Sequence, residues 1–208
     1  LELKHYAVLN INIRMSKLFK VLVTGGIGVG KSTACKIFGE LGVPVFYSDL
    51  QARKVTNFNK DVIDKIKKEF GEHMYVDGVL DRRALSDIVF NDKDKLSVLN
   101  AIVHPAVAEA FESWVGVNEV FKDFEYVIEE AAIAIELGVQ DKFDYIIVVT
   151  ADEDVRIKRT MARDNCAEDK VRERMNNQVT EEERLKHADV VIVNNDFPNL
   201  ECQVKAIH

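Results

Sequence analysis

The chain has 208 residues, 47% of them hydrophobic, with 10 glycines and 3 prolines. That composition excludes disordered and fibrous classes and leaves room for one sizeable core plus a sub-domain or a long insertion. A net charge of −7 argues against a general nucleic-acid binder, and no run approaches the roughly 18 apolar residues of a membrane-spanning helix, so neither nucleic acid nor membrane is expected as a partner.

Residues 1–14 show neither the apolar region and cleavage site of a signal peptide nor the Arg/Ser bias of a transit peptide. Met15 stands directly before Ser-Lys-Leu-Phe-Lys and reads as the natural start, with residues 1–14 as an extension outside the native domain. A genuine extra N-terminal strand is the alternative. The short β-branched run Lys20 to Thr24 predicts a buried parallel strand ending in a glycine-rich loop. Ala34, Ile37, Phe38 and Leu41 then fall at helical spacing, and Gly42 is placed to stop that helix. Val43 to Tyr47 reads as a second strand closing on Ser48-Asp49.

From about residue 51 to 122 the pattern turns helical. Ile63, Ile66 and Phe70 form one helix face stopped by Gly71, and Asp77-Gly78 marks a turn. Asp81 can cap a helix carrying Leu85, Ile88 and Val89. Asp92 and Asp94 open a further helix through Ile102, and Pro105 is expected to start another. Strands return at Glu125 to Glu129, Tyr145 to Thr150 and Asp189 to Asn194, the last two separated by a charge-dense helical stretch from Glu153 to Lys186. Continuously apolar strands alternating with helices imply an α/β fold with a parallel sheet covered on both faces.

Gly25-Gly26-Ile27-Gly28-Val29-Gly30-Lys31-Ser32-Thr33 matches the phosphate-loop pattern in its required setting of strand, loop and helix. Glycines let successive N–H groups turn inward onto phosphate oxygens, and the helix start adds its positive end. Lys31 can reach the β- and γ-phosphates of ATP, the Ser32 hydroxyl can enter the shell of Mg²⁺, and Thr33 can meet the α-phosphate. A regulatory GTPase is disfavoured, because no glycine has Asp three positions earlier and Asn59-Lys60 is followed by Asp61-Val62.

A small-molecule kinase needs a carboxylate to take the acceptor's proton. Open α/β sheets place such groups at the C-terminal ends of their strands. Asp49 stands after the second strand, where it could equally cap a helix. Glu129 and Glu130 stand at the end of the third, where a carboxylate could hold water around Mg²⁺. Between Arg156 and Arg174 seven basic residues face four acidic ones. Arginine suits phosphate oxygens through its planar fork and permanent charge, so this stretch reads either as a lid over the nucleotide, about residues 153–180, or as a solvated helix with pairs such as Glu168–Arg172.

Taken together, Thr24 to Thr33, Leu41-Gly42-Val43-Pro44-Val45 and Ser48-Asp49-x-x-Ala52-Arg53 resemble the opening of dephospho-coenzyme A kinases. The resemblance continues through Leu80 to Leu85, His104-Pro105, Arg159 to Asp164, Arg174-Met175-x-x-Gln178 and Ala188 to Asn195, in family order from Met15 almost to the end. It implies a three-layer P-loop kinase fold with a core of 15–50 and 123–208, a helical coenzyme A-binding insertion at 51–122 and a helical lid. It also implies ATP-dependent phosphorylation of the ribose 3′-hydroxyl of dephospho-coenzyme A, the last step of coenzyme A synthesis; the three widely spaced cysteines, Cys35, Cys166 and Cys202, suit free thiols in a reducing cytosol. In that frame Asp49 is the expected general base, with Lys31, Arg159 and Arg163 at the phosphates and Asn194 and Asn195 near the adenine end. Arg53, Arg82, His104 and Glu136 fall to the acceptor side, and Ser32 to Mg²⁺, with Glu130 through water. The family often shows Asp-x-Pro-Leu-Leu-Phe-Glu after the third strand. Here Glu130 replaces the aspartate and Ala131 to Ile135 replaces the bulkier run before Glu136. The competing readings are another P-loop kinase, acting on a nucleoside monophosphate or a sugar acid, and a nucleotide-binding regulator without catalysis.

Overall fold

A computed structural model describes residues 18–90, 92–121 and 124–208. The expected extension and the start at Met15 lie outside the described residues. The described residues divide into two compact units, one of residues 18–46 and 124–208 and the other within Tyr47–Phe121.

The first unit is built on β1 (Phe19–Thr24), α1 (Lys31–Glu40), β2 (Val45–Tyr47, the last residue falling in the second unit), β5 (Tyr126–Glu130), β6 (Tyr145–Thr150), α6 (Glu153–Asp164), α7 (Glu168–Asn176), α8 (Glu181–Lys186), β7 (Val190–Val193) and α9 (Phe197–Ile207). The sheet order is β2-β5-β1-β6-β7, and β1 pairs in parallel with both β5 and β6, as β6 does with β7. This is the α/β fold with a parallel sheet expected from the alternating apolar runs. Leu22, Val23, Val127, Ile128, Val148 and Val149 are fully shielded from water, as strands covered on both faces must be. The register sets Val23 beside Glu130 and Thr24 beside Val148, so the strand ends that carry polar groups line up at the loop after β1.

The stretch Glu153 to Lys186, expected as one long helical segment, is three helices. Asn165 ends α6 in the left-handed region at φ 48°, a conformation asparagine tolerates better than most residues. Thr180 then restarts the chain as the N-cap of α8, accepting from the Glu183 N–H.

The second unit contains α2 (Ser48–Phe58), α3 (Lys60–Phe70), a small antiparallel hairpin of β3 (Tyr75–Val76) and β4 (Val79–Leu80), α4 (Arg82–Phe90) and α5 (Lys93–Phe121). Asn59 caps α3 and Asp81 caps α4, each side chain accepting a backbone N–H, at 3.2 and 3.0 Å. Asp77 and Gly78 turn the hairpin, both with positive φ. Pro105 does not start a new helix: α5 runs through it. Proline removes one backbone donor there, but Val103, Val107, Phe111 and Val115 keep a buried stripe at four-residue spacing on both sides, and that packing carries the helix past the missing bond.

Candidate functional site

The loop after β1 is held open by its own residues. Val29 is fully buried and plugs the loop into the core. Gly28 and Gly30 have φ of 78° and 88°, which a side chain would strain, and a Cβ on Gly28 would come within 2.5 Å of the Arg156 carbonyl oxygen. A Cβ on Gly30 would meet the amide of Asn194. α1 starts at Lys31 with Gly30 as its N-cap, so the first-turn N–H groups and the positive helix end face the loop.

The Lys31 ammonium curls back over the loop, donating to the Gly25 and Gly26 carbonyls at 2.9 and 3.3 Å. The exposed Ser32 hydroxyl donates to Glu130 Oε1 at 3.2 Å. Glu130 is 8% exposed and stands at the end of β5, one strand over from the loop. A hydroxyl and a carboxylate joined at the mouth of a phosphate loop supply hard oxygen donors on one side only. That suits a Mg²⁺ ion whose remaining ligands are phosphate oxygens and water. Glu130 spans the gap despite standing where the family favours the shorter aspartate.

The helices expected to form a lid meet the loop through Arg156 and Gln178 rather than through Arg159 and Arg163. Arg156 is buried, donates from Nε to the Ile27 carbonyl at 3.0 Å and pairs with Glu181 at 3.6 Å. Burial pushes its pKa down, partly offset by Glu181. Gln178, between α7 and α8, accepts the Ile27 N–H at 2.9 Å. Arg184, 1% exposed, binds Glu181 at 3.0 Å, Glu136 at 3.3 Å and the Val179 carbonyl at 3.2 Å. Arg156, Arg184, Glu136 and Glu181 thus form a four-charge cluster, its arginines buried and its carboxylates half-buried, that ties α6 and α8 to the loop. The only sequence signal for Arg156 is its spacing. Arg156, Arg159 and Arg163 recur at i, i+3 and i+7, on one stripe of α6. Nothing local marks Arg184, because its burial arises from tertiary packing.

The named arginines are engaged elsewhere. Arg159 donates to the Asn194 and Asn195 carbonyls at 2.7 and 3.3 Å. Arg163 makes a two-pronged pair with Asp164, which also takes Arg174 at 2.6 Å, and these partners hold the Asp164 carboxyl far below the usual carboxylate range. Arg172 binds Glu168, as the i,i+4 spacing predicted, and Glu153 as well. Asn194 is buried and donates its side-chain N–H to the Val29 carbonyl at 2.7 Å, while Asn195 Oδ1 accepts the Asp152 N–H. Asn194 therefore fixes the loop itself. Glu136 lies in the charge cluster, where it accepts the Val179 N–H at 3.3 Å in addition to Arg184. Thr33 donates its backbone N–H to the Gly30 carbonyl in the first turn of α1.

In the helical unit, Asp49 is exposed in the first turn of α2, two residues beyond the end of β2. The N-cap position belongs to Tyr47, so the carboxylate is not spent as the cap. Asp49, Arg53 and Thr56 recur at i, i+4 and i+7 and share one face of α2. Arg82 donates to Thr56 Oγ1 at 3.3 Å, and its pKa is lowered by burial and by the positive charge of Arg53. His104, in α5, is half-buried, and burial pushes its imidazole towards the neutral form.

Comparison with known proteins agrees with this geometry. The family model of dephospho-CoA kinases matches residues 19–199. A dephospho-CoA kinase of Chlorobaculum tepidum is 37% identical over 196 residues, covering 89% of this chain and 91% of that protein. Among solved structures, a Thermus thermophilus protein superposes with a TM-score of 0.79 at 30% identity, over 92% of this chain and 96% of its own. The dephospho-CoA kinase of Campylobacter jejuni gives 0.60 at 25% identity, over 89% and 93%. With a phosphate loop, a hydroxyl–carboxylate pair beside it and a match across nearly the whole described chain, this protein belongs to the dephospho-CoA kinase family.

Proposed function

We propose that the chain transfers the γ-phosphoryl group of ATP to the ribose 3′-hydroxyl of dephospho-coenzyme A, giving coenzyme A and ADP, the final step of coenzyme A synthesis, in the cytoplasm. The match of residues 19–199 to the family carries the choice of acceptor.

The loop N–H groups and Lys31 bind the phosphates, and Asn194 keeps the loop in the shape that presents them. Ser32 and Glu130 are the residues that would hold Mg²⁺. When bound, the ion neutralises charge on the phosphate oxygens. Asp49 accepts the proton of the 3′-hydroxyl as that oxygen forms its bond to the γ-phosphorus and the bond to the ADP oxygen breaks. Arg53 and Arg82 place two positive charges on the Asp49 side of the helical unit, and an anionic acceptor relieves their mutual repulsion. Arg159 and Arg163, on the stripe that Arg156 begins, would steady the transferring phosphoryl group by exchanging their Asn194, Asn195 and Asp164 oxygens for phosphate oxygens, and His104 lines the acceptor side.

The test is ADP release from ATP and Mg²⁺ with dephospho-coenzyme A, AMP, cytidylate or gluconate as acceptor. Turnover should be confined to dephospho-coenzyme A. Turnover with another acceptor alone would replace this reading with that of a different small-molecule kinase. Asp49→Asn should abolish transfer while ATP binding survives, and near-normal kcat in that variant would remove the base assignment.

A further inference from the structure

Gln178 lies between α7 and α8 and is half-buried against the loop. Its carboxamide accepts the Ile27 N–H at 2.9 Å. A backbone N–H requires an acceptor, so this bond fixes the orientation of the amide: oxygen towards the loop and NH₂ away from Ile27. Among the described residues that NH₂ has no protein partner. Two donors are thus held at a set distance from the loop by a bond that does not use them.

Three side chains converge on residues 25–27. Lys31 sits on the Gly25 and Gly26 carbonyls, Arg156 on the Ile27 carbonyl and Gln178 on the Ile27 N–H. The lysine of such a loop serves the β- and γ-phosphates, so the shared anchor brings the Gln178 amide to the end of the loop where the terminal phosphate belongs. Arg156 and Arg184 are charge-paired within their own cluster by Glu181 and Glu136, whereas the neutral Gln178 carboxamide stands outside that cluster and keeps its NH₂ for a ligand.

We propose that Gln178 contacts the terminal phosphate of ATP, with Ile27 N–H holding its carboxamide oxygen while its NH₂ donates to a γ-phosphate oxygen. This rests on the reading of the loop as an ATP site but not on the identity of the acceptor. The contact distinguishes ATP from ADP, because only ATP carries the γ-phosphate.

Gln178→Glu separates this role from a purely structural one. The carboxylate still accepts the Ile27 N–H, but it has no donor and repels phosphate. Affinities for ADP and for the imido analogue of ATP would be measured by calorimetry with Mg²⁺, alongside the thermal midpoint. Expected is a loss of about tenfold or more for the analogue, with ADP within about twofold and the midpoint unchanged, the scale of one charge-assisted hydrogen bond. Equal losses for both nucleotides, or no loss for either, would overturn the proposal and leave Gln178 as a tether of the α7–α8 segment. If Gln178→Glu does not fold, Gln178→Met is measured instead: a selective loss of the analogue supports the contact, and an unchanged analogue-to-ADP ratio overturns it. Neither measurement uses an acceptor, so failure of the acceptor assignment in wild-type turnover stays separate from failure here.

Discussion

Replacing Arg184 with methionine removes the centre of the buried charge cluster while keeping much of its apolar volume. Arg184 is 1% exposed and binds two carboxylates, Glu136 at 3.3 Å and Glu181 at 3.0 Å. Removing one partner of a buried pair costs about 3–5 kcal/mol, because the other charge stays desolvated. Two features set the loss at the lower end. Glu181 retains Arg156 at 3.6 Å, and the carboxylates keep 29% and 19% side-chain exposure. A loss of ~3 kcal/mol follows, equivalent to a fall of about 6–12 °C in thermal midpoint for a chain of this size. The assay is urea and thermal unfolding of Arg184→Met against wild type. The double variant Arg184→Met, Glu136→Gln should regain part of the loss, since it removes the orphaned charge. A loss under about 1 kcal/mol, or no recovery in the double variant, would refute the claim that Glu136 and Glu181 depend on Arg184.

Three further outcomes follow from the site. Asn194→Ala removes the 2.7 Å bond to the buried Val29 carbonyl and should weaken ADP binding about tenfold, read by calorimetry; unchanged affinity would mean that the loop holds its shape unaided. Glu130→Gln should raise the Mg²⁺ concentration needed for half-maximal turnover while leaving the thermal midpoint near wild type, and an unchanged Mg²⁺ requirement would detach Glu130 from the metal. Asp164 has its carboxyl held low by Arg163 first and Arg174 second. Its folded value lies below the unfolded one of about 3.9, so its stabilisation is complete above that pH and lost as pH falls below it. The stability gap between wild type and Asp164→Asn should therefore shrink on acidification from pH 6 to about 3; a gap that widens towards acid would contradict the pairing.

The parts of this protein legible in the sequence are those written in local pattern. The loop Gly25 to Ser32, the β6 run Tyr145 to Thr150, the caps at Asp81 and Gly71 and the turn at Asp77-Gly78 each depend on residues adjacent in the chain. Pro105 misleads because helix breaking is a local rule, and the stripe Val103, Val107, Phe111 and Val115 overrides it through packing. The cluster of Arg156, Arg184, Glu136 and Glu181 is hidden for the same reason. Its members are scattered between positions 136 and 184 among many similar charges, and only the folded chain separates two buried arginines from solvated ones. Asn194 and Glu136 are marked by family likeness, as nucleotide-side and acceptor-side residues, and in the fold they bond to the Val29 carbonyl and the Val179 N–H.

The central claim is that the acceptor is dephospho-coenzyme A and that the phosphate goes to its 3′-hydroxyl. Incubation of the purified chain with ATP, Mg²⁺ and dephospho-coenzyme A, followed by chromatography and mass analysis against authentic coenzyme A, addresses it most directly. The expected product coelutes with coenzyme A and is matched by an equal quantity of ADP. ADP formed without that product, or a phosphorylated product that does not coelute, would contradict the claim.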